Sequence, residues 1–238
     1  MFTKEQEVME RRYTLPYNWL HASSSRRFRY KQGLFFSALR LAPNLNGKKI
    51  LDAGCGDGWY SARLVEQGSS VTGVDYSIQA VEFARLIVKN ATFQEASLTK
   101  LPFLDDTFDV IFVIQVLEHI PPLELSLAIS ELARILKKDG VCVVSVPSIR
   151  RPLSKAHVQH FTHLTLAAAL EPAFTVRQMI GYRTGNSFFT ILEKISENRF
   201  WFLSFFARLL DQFFYRFFAY TTPEKGENLV VSLSKKNV

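Results

Sequence analysis

Three glycines at alternate positions, Gly54, Gly56 and Gly58, follow a short apolar run (Ile50-Leu51) that closes on an acid, Asp52. An apolar strand feeding such a turn brings a ligand close to bare main chain, because glycine tolerates backbone angles and approaches that a side chain forbids. The spacing is G-x-G-x-G, which departs from the G-x-G-x-x-G of a nicotinamide site. A second apolar strand, Ser70-Val71-Thr72-Gly73-Val74-Asp75, also ends in an acid. An acid about 20 residues beyond a glycine turn is placed to accept hydrogen bonds from ribose hydroxyls. Tyr76 follows it, within reach of an adenine ring.

The elements that must carry these residues alternate. Strands are expected at 49–53, 70–75, 92–95, 108–114 and 140–147, with helices at 59–67, 78–89 and 123–137 between them. Lys137-Lys138-Asp139-Gly140 has the composition of a helix stop, basic residues and then glycine. A loop at 148–162, a helix at 163–172 and strands at 175–183 and 228–235 complete the chain. Before the first strand, Ser23-Ser24-Ser25 offers an N-cap to a helix near 25–42 with Phe28, Phe35, Ala38 and Leu39 at helical spacing. The alternation predicts a parallel sheet covered on both faces.

Two further stretches matter: Leu101-Pro102-Phe103 followed by Asp105-Asp106-Thr107-Phe108, and Gln115-Val116-Leu117-Glu118-His119-Ile120 just past the fourth strand. With these pieces in order, the chain resembles the class I S-adenosylmethionine-dependent methyltransferases, and among them the small-molecule branch of the ubiquinone-biosynthesis O-methyltransferases. The resemblance spans roughly 26–185 and 228–236. It implies a Rossmann-like, seven-stranded α/β sheet with S-adenosylmethionine as methyl donor. By position it gives Gly54 and Gly56 the donor's methionine part, Asp52 the orientation of the turn, Asp75 the ribose diol and Tyr76 the base. Ser97 and Leu98 match the adenine-reading pair, with serine where the family commonly has Asp, and Ile114 matches a backbone contact to the donor's amino group. Arg27, in Arg27-Phe28-Arg29-Tyr30, resembles an arginine that binds the donor's carboxylate.

On the acceptor side, His119 is a candidate general base toward a hydroxyl or phenol, since an unperturbed imidazole titrates near neutrality. The alternative is a loop-capping histidine. His157, with His160, follows Arg150-Arg151 and is the second candidate, with helix capping by Thr162 as the plainer account of part of that pattern. In the ubiquinone branch a Glu-x-x-Glu-His cluster has been assigned a metal; here Gln115 takes the first place and removes a hard ligand, so no metal is expected.

The 238 residues divide into a basic leader and cap helix (1–48), a methyltransferase domain (49–185 plus 228–238) and an aromatic-rich insertion (186–227). The net charge of +7 sits in the first 49 residues, with 10 Lys/Arg against 3 Glu; the remainder balances at 19 of each sign. That leader suits an anionic membrane surface, an acidic substrate or RNA, or is simply a solvated face. In the insertion, a helix over 199–219 would gather Phe202, Phe206, Leu209, Phe213 and Phe217 on one side and Arg208, Asp211 and Arg216 on the other. Its charges break any spanning segment, leaving a lid, an interfacial anchor or a homodimer contact. Two cysteines and a charged N-terminus point to a reducing, cytoplasmic setting. The expected reaction is methyl transfer to a small or lipid-like acceptor at oxygen. An RNA methyltransferase and a non-catalytic donor-binding module are the alternatives; nucleic acid is not the expected partner, because no Asn-Pro-Pro-Tyr-like motif follows the fourth strand.

Overall fold

The computed structural model describes residues 7, 10–20, 26–183, 209, 213 and 219–236. Five strands form the parallel part of one sheet: β1 (Lys49–Ala53), β2 (Ser70–Asp75), β3 (Ala91–Glu95), β4 (Phe108–Ile114) and β5 (Leu136–Pro147). The order is β3-β2-β1-β4-β5, continued by β8 (Asn228–Lys235), β6 (Phe174–Tyr182) and β7 (Tyr220–Thr221), which run antiparallel. The order in which the strands are added reverses between the parallel neighbours β1 and β4, so the carboxyl ends of both strands open onto one crevice. That is where ligands bind in doubly wound sheets.

Residue alternation explains the two covered faces. In β4, Ile111 and Val113 join one apolar cluster, while Val110, Phe112 and Ile114 join the other. Helices α4 (Pro122–Ile135) and α5 (His163–Leu170) cover the first face through Leu125, Ile129, Leu132 and Leu166. Helices α1 (Arg26–Leu41) and α2 (Trp59–Val65) cover the second through Leu34, Phe35, Ala38 and Leu64. Helix α3 (Ile78–Ile87) packs Val81 and Ala84 against Cys55 and Phe93. Strands buried on both faces read as continuous apolar runs, which is how Val110–Ile114 reads.

Two expectations are corrected. The sheet has eight strands rather than seven; the eighth, β7, is two residues long and pairs with Gly181 and Tyr182. The helix before the fifth strand stops at Ile135, and β5 begins at Leu136, so Lys137 and Lys138 are strand residues. Leu136 is fully buried opposite Phe108, which favours pairing over another helical turn. Gly140 is therefore no helix stop: a Cβ there would lie 2.6 Å from Leu136 Cδ1, and the glycine makes room for that side chain. The Ser23–Ser25 cap lies outside the described residues. So does the helix over 199–219, apart from Leu209 and Phe213, which are helical and 49% and 51% exposed. Among the described residues no helix is long and apolar enough to cross a membrane.

Candidate functional site

The glycine turn is left-handed at each glycine, with φ of 78° at Gly54, 53° at Gly56 and 79° at Gly58. Gly54 and Cys55 N–H both donate to the Val74 carbonyl, at 2.7 and 2.9 Å, which pins the turn to the end of β2. Asp75 completes the tie, one carboxylate oxygen accepting from Gly56 N (2.8 Å) and the other from Ser77 N (3.0 Å). Each oxygen keeps acceptor capacity for a ligand hydroxyl. Burial pushes the Asp75 carboxyl up to about 6 against the pull of those two N–H groups. Asp52 lines neither cavity described below; it accepts from Ser61 Oγ at 2.6 Å, tying β1 to α2, and burial pushes it up to about 7.

The leader folds over this turn, a contact the sequence did not announce. Asp57 accepts from Asn18 through N (2.6 Å) and Nδ2 (2.7 Å), and its carbonyl accepts from Trp19 Nε1 at 2.8 Å. Lys31 donates to Asn18 Oδ1, and Arg27 stacks over Tyr17 at 4.1 Å. Tyr13 is buried against Gly56, where a Cβ would lie 2.6 Å from its hydroxyl. Burial, then the nearby charge of Asp75, raises the Tyr13 phenol well above its ordinary value.

Two cavities meet here and share Tyr13, Gly54, Gln115 and His119. The smaller, about 110 Å³, is lined by Asp75, Tyr76, Ser97 and Leu98. Ser97 Oγ is engaged in its own turn, with Thr99 Oγ1 at 2.7 Å and Thr99 N at 3.2 Å. The larger, about 520 Å³, is lined by Arg27, Gly56, Ile114 and His157 together with Lys31, Trp59, Glu118, Arg151 and Arg183. A volume of that size suits a small organic ligand. The structure thus gathers every predicted site residue except Asp52 around two adjoining cavities. Gln115, at their junction, is a left-handed non-glycine residue (φ 59°) held by Ser145. Such strain concentrates at functional sites.

The loop after β5 is fastened to the 3₁₀ turn Leu117–His119. Val158 N donates to the Glu118 carbonyl at 2.9 Å and Gln159 Nε2 to the Ile120 carbonyl at 3.0 Å. His119 Nδ1 lies 2.6 Å from the Ala156 carbonyl. A carbonyl only accepts, so the neutral ring carries its proton on Nδ1 and Nε2 is its basic nitrogen. The same reasoning runs along a second chain. His160 Nδ1 donates to the Arg151 carbonyl (3.1 Å), and His157 Nδ1 donates to His160 Nε2 (2.7 Å). The His119 and His157 rings meet edge to face at 4.8 Å.

Glu118 is fully buried on the wall of the larger cavity, and neither carboxyl oxygen meets a hydrogen-bond donor of another residue. Burial pushes its carboxyl up to about 8, against the smaller pull of its own backbone N–H and Arg151. Glu118, His119 and His157 bring one ligand atom each within 4.8 Å of one another. His157 thus enters where Gln115 left a gap in the sequence pattern, and a carboxylate with two imidazoles is a donor set that suits a transition metal.

Comparison with known proteins points to methyltransferases. A family described as "Methyltransferase domain" matches residues 51–144, from β1 through β5. A probable S-adenosylmethionine-dependent methyltransferase of Mycolicibacterium smegmatis is 30% identical over 150 residues, 60% of this chain and 58% of that protein. A ubiquinone biosynthesis O-methyltransferase of Histophilus somni is 35% identical over 114 residues, 44% of this chain and 47% of its own length. The chain spans about half the length of these curated relatives. The solved cyclase SpnF superposes with a TM-score of 0.68 over 99% of this chain and 98% of its own, at 16% identity, a likeness of fold alone. The matched segment begins at Leu51, runs through the glycine turn and Asp75, and ends within β5, the part of the sheet that opens onto the crevice. Over residues 51–144 the chain is thus similar to the methyltransferase domain family, and to S-adenosylmethionine-dependent methyltransferases within it.

Proposed function

We propose that this chain binds S-adenosylmethionine across the two cavities and transfers its methyl group to an oxygen of a small or lipid-like acceptor. The observation that carries this reading is the position of His119. It lines both cavities where they meet, with its proton held on Nδ1 by Ala156. When bound, the donor supplies a methyl group on a sulfonium, already activated for displacement. The protein's remaining tasks are alignment, exclusion of water and removal of the acceptor's proton.

Asp75 would take the ribose diol on oxygens already oriented by Gly56 and Ser77. Tyr76, Ser97 and Leu98 would line the adenine end. Gly54, Gly56, Ile114 and Arg27 would serve the amino-acid end. In the larger cavity His119 Nε2 would accept the acceptor's hydroxyl proton as its oxygen attacks the methyl carbon, with His157 as the alternative base. The O-methyltransferase name of the Histophilus somni relative supports oxygen as the acceptor atom. Should a divalent cation be required, Glu118, His119 and His157 would hold it. We propose equally a cytoplasmic location, with peripheral membrane contact through the basic leader and 199–219, or a homodimer. Turnover of labelled donor with a cell lipid extract tests the reading: label recovered in an extractable lipid supports it. Donor binding without transfer to the lipid extract or to RNA would favour a non-catalytic module.

A further inference from the structure

The larger cavity has more positive charge than the donor can use. Arg27 and Lys31, beside the leader and Gly56, belong to the amino-acid end, where a carboxylate is expected. Arg151 and Arg183 enter the cavity with Tyr30 between them. Arg183 is ion-paired with Glu227 at 3.5 Å. Arg151 is not paired in this way. Its guanidinium donates to two uncharged oxygens, Tyr30 Oη and, at 3.3 Å, Asn228 Oδ1. Among the described residues no carboxylate forms an ion pair with it. A guanidinium on a cavity wall, oriented by neutral acceptors and short of a counter-ion, is built to receive an oxyanion.

We propose, building on the methyl-transfer reading, that Arg151 binds a carboxylate or phosphate borne by the acceptor. The backbone of the same residue fixes where that anion lies relative to the chemistry. The Arg151 carbonyl accepts from His160, and His160 in turn accepts from His157, whose ring packs on His119. Anchor and base thus sit on one hydrogen-bonded frame, and an acceptor held by its anion presents a hydroxyl toward the histidines. Tyr30 supports the frame by donating to Asn228 Oδ1 at 2.7 Å. An acceptor of this kind is a hydroxylated acid or phosphate ester, and a wholly neutral lipid would leave the Arg151 charge uncompensated.

The test uses the full chain with 15N-labelled arginine. S-adenosylhomocysteine binding is measured first by calorimetry; no binding would sink the methyl-transfer reading and leave the anion arm to stand alone. The Arg151 Nε resonance, assigned by Arg151→Lys, is then followed during titration with inorganic phosphate and with acetate, with and without S-adenosylhomocysteine. The expected result is a saturable shift of that resonance near 1 mM anion, a weak site's range, that persists when the donor product fills its own site. Whichever anion gives the stronger response identifies the acceptor's group. Arg151→Met should weaken anion binding about 10-fold or more with S-adenosylhomocysteine affinity unchanged. An Arg151 resonance unmoved by both anions overturns the proposal. So does loss of S-adenosylhomocysteine affinity in Arg151→Met, which would give Arg151 to the donor's carboxylate.

Discussion

Tyr13 lies across Gly56 so closely that a Cβ at residue 56 would come within 2.6 Å of the tyrosine hydroxyl. The leader and the glycine turn are therefore one structural unit, although 43 positions separate the two residues in the numbering. Gly56→Ala carries two costs, a left-handed alanine worth roughly 1–2 kcal/mol and displacement of Tyr13. In a Tyr13→Ala background only the first remains. A double-mutant cycle by urea denaturation should show that coupling, with Gly56→Ala costing less in the second background. Strictly additive effects would mean that Tyr13 does not bear on the turn.

The buried acids give a pH dependence with a definite sign. Asp52, Asp75 and Glu118 are raised from 3.8, 3.8 and 4.5 to about 7, 6 and 8, chiefly by burial. Between each ordinary value and each raised one the folded chain holds a proton that the unfolded chain has released, so stability falls as pH rises. The contribution of these groups is complete below about pH 4 and is lost progressively up to about pH 8. Glu118→Gln should flatten the upper part of that fall, by an amount on the order of a few kcal/mol. Denaturant midpoints of wild type and variant across pH 4–8 check it; parallel curves would show that Glu118 ionises without penalty.

His119→Ala should lower turnover by about 10²–10⁴-fold, the usual loss on removing a general base. Affinity for S-adenosylhomocysteine should be nearly unchanged, and single-turnover kinetics against calorimetry separates the two. Normal turnover would leave His119 as the fastener of the Ala156 loop and move attention to His157.

The face expected from Phe206 and Phe213, backed by a leader of surplus positive charge, should give weak, salt-sensitive binding to anionic vesicles. Flotation of wild type against a Phe206→Ser/Phe213→Ser double variant measures it. If wild type stays in solution while the variant changes oligomeric state, the stretch is a subunit contact.

Much of the fold was legible because buried parallel strands write themselves as apolar runs: Ile50–Ala53, Val71–Val74 and Val110–Ile114 need no partner to be read. The glycine turn was legible because glycine at a left-handed position leaves a residue-type signature. The leader's clamp was not, since Asn18 finds Asp57 at a separation of 39 residues and neither type has a periodicity that betrays the pairing. The end of α4 was misread because Lys137–Gly140 carries stop composition, while the burial of Leu136 against Phe108 decides the boundary. His157 was read as a separate candidate; only the loop's bonds to Glu118 and Ile120 bring it beside His119.

The account rests most heavily on Asp75 as the donor's ribose acceptor at the meeting of the two cavities. Calorimetric titration of wild type and Asp75→Ala with S-adenosylhomocysteine tests this directly. Wild type should bind one equivalent, and the variant should bind about 10- to 150-fold more weakly, a loss of roughly 1.5–3 kcal/mol for hydrogen bonds to a charged group. Equal affinity in the two proteins, or no binding by wild type, would contradict it.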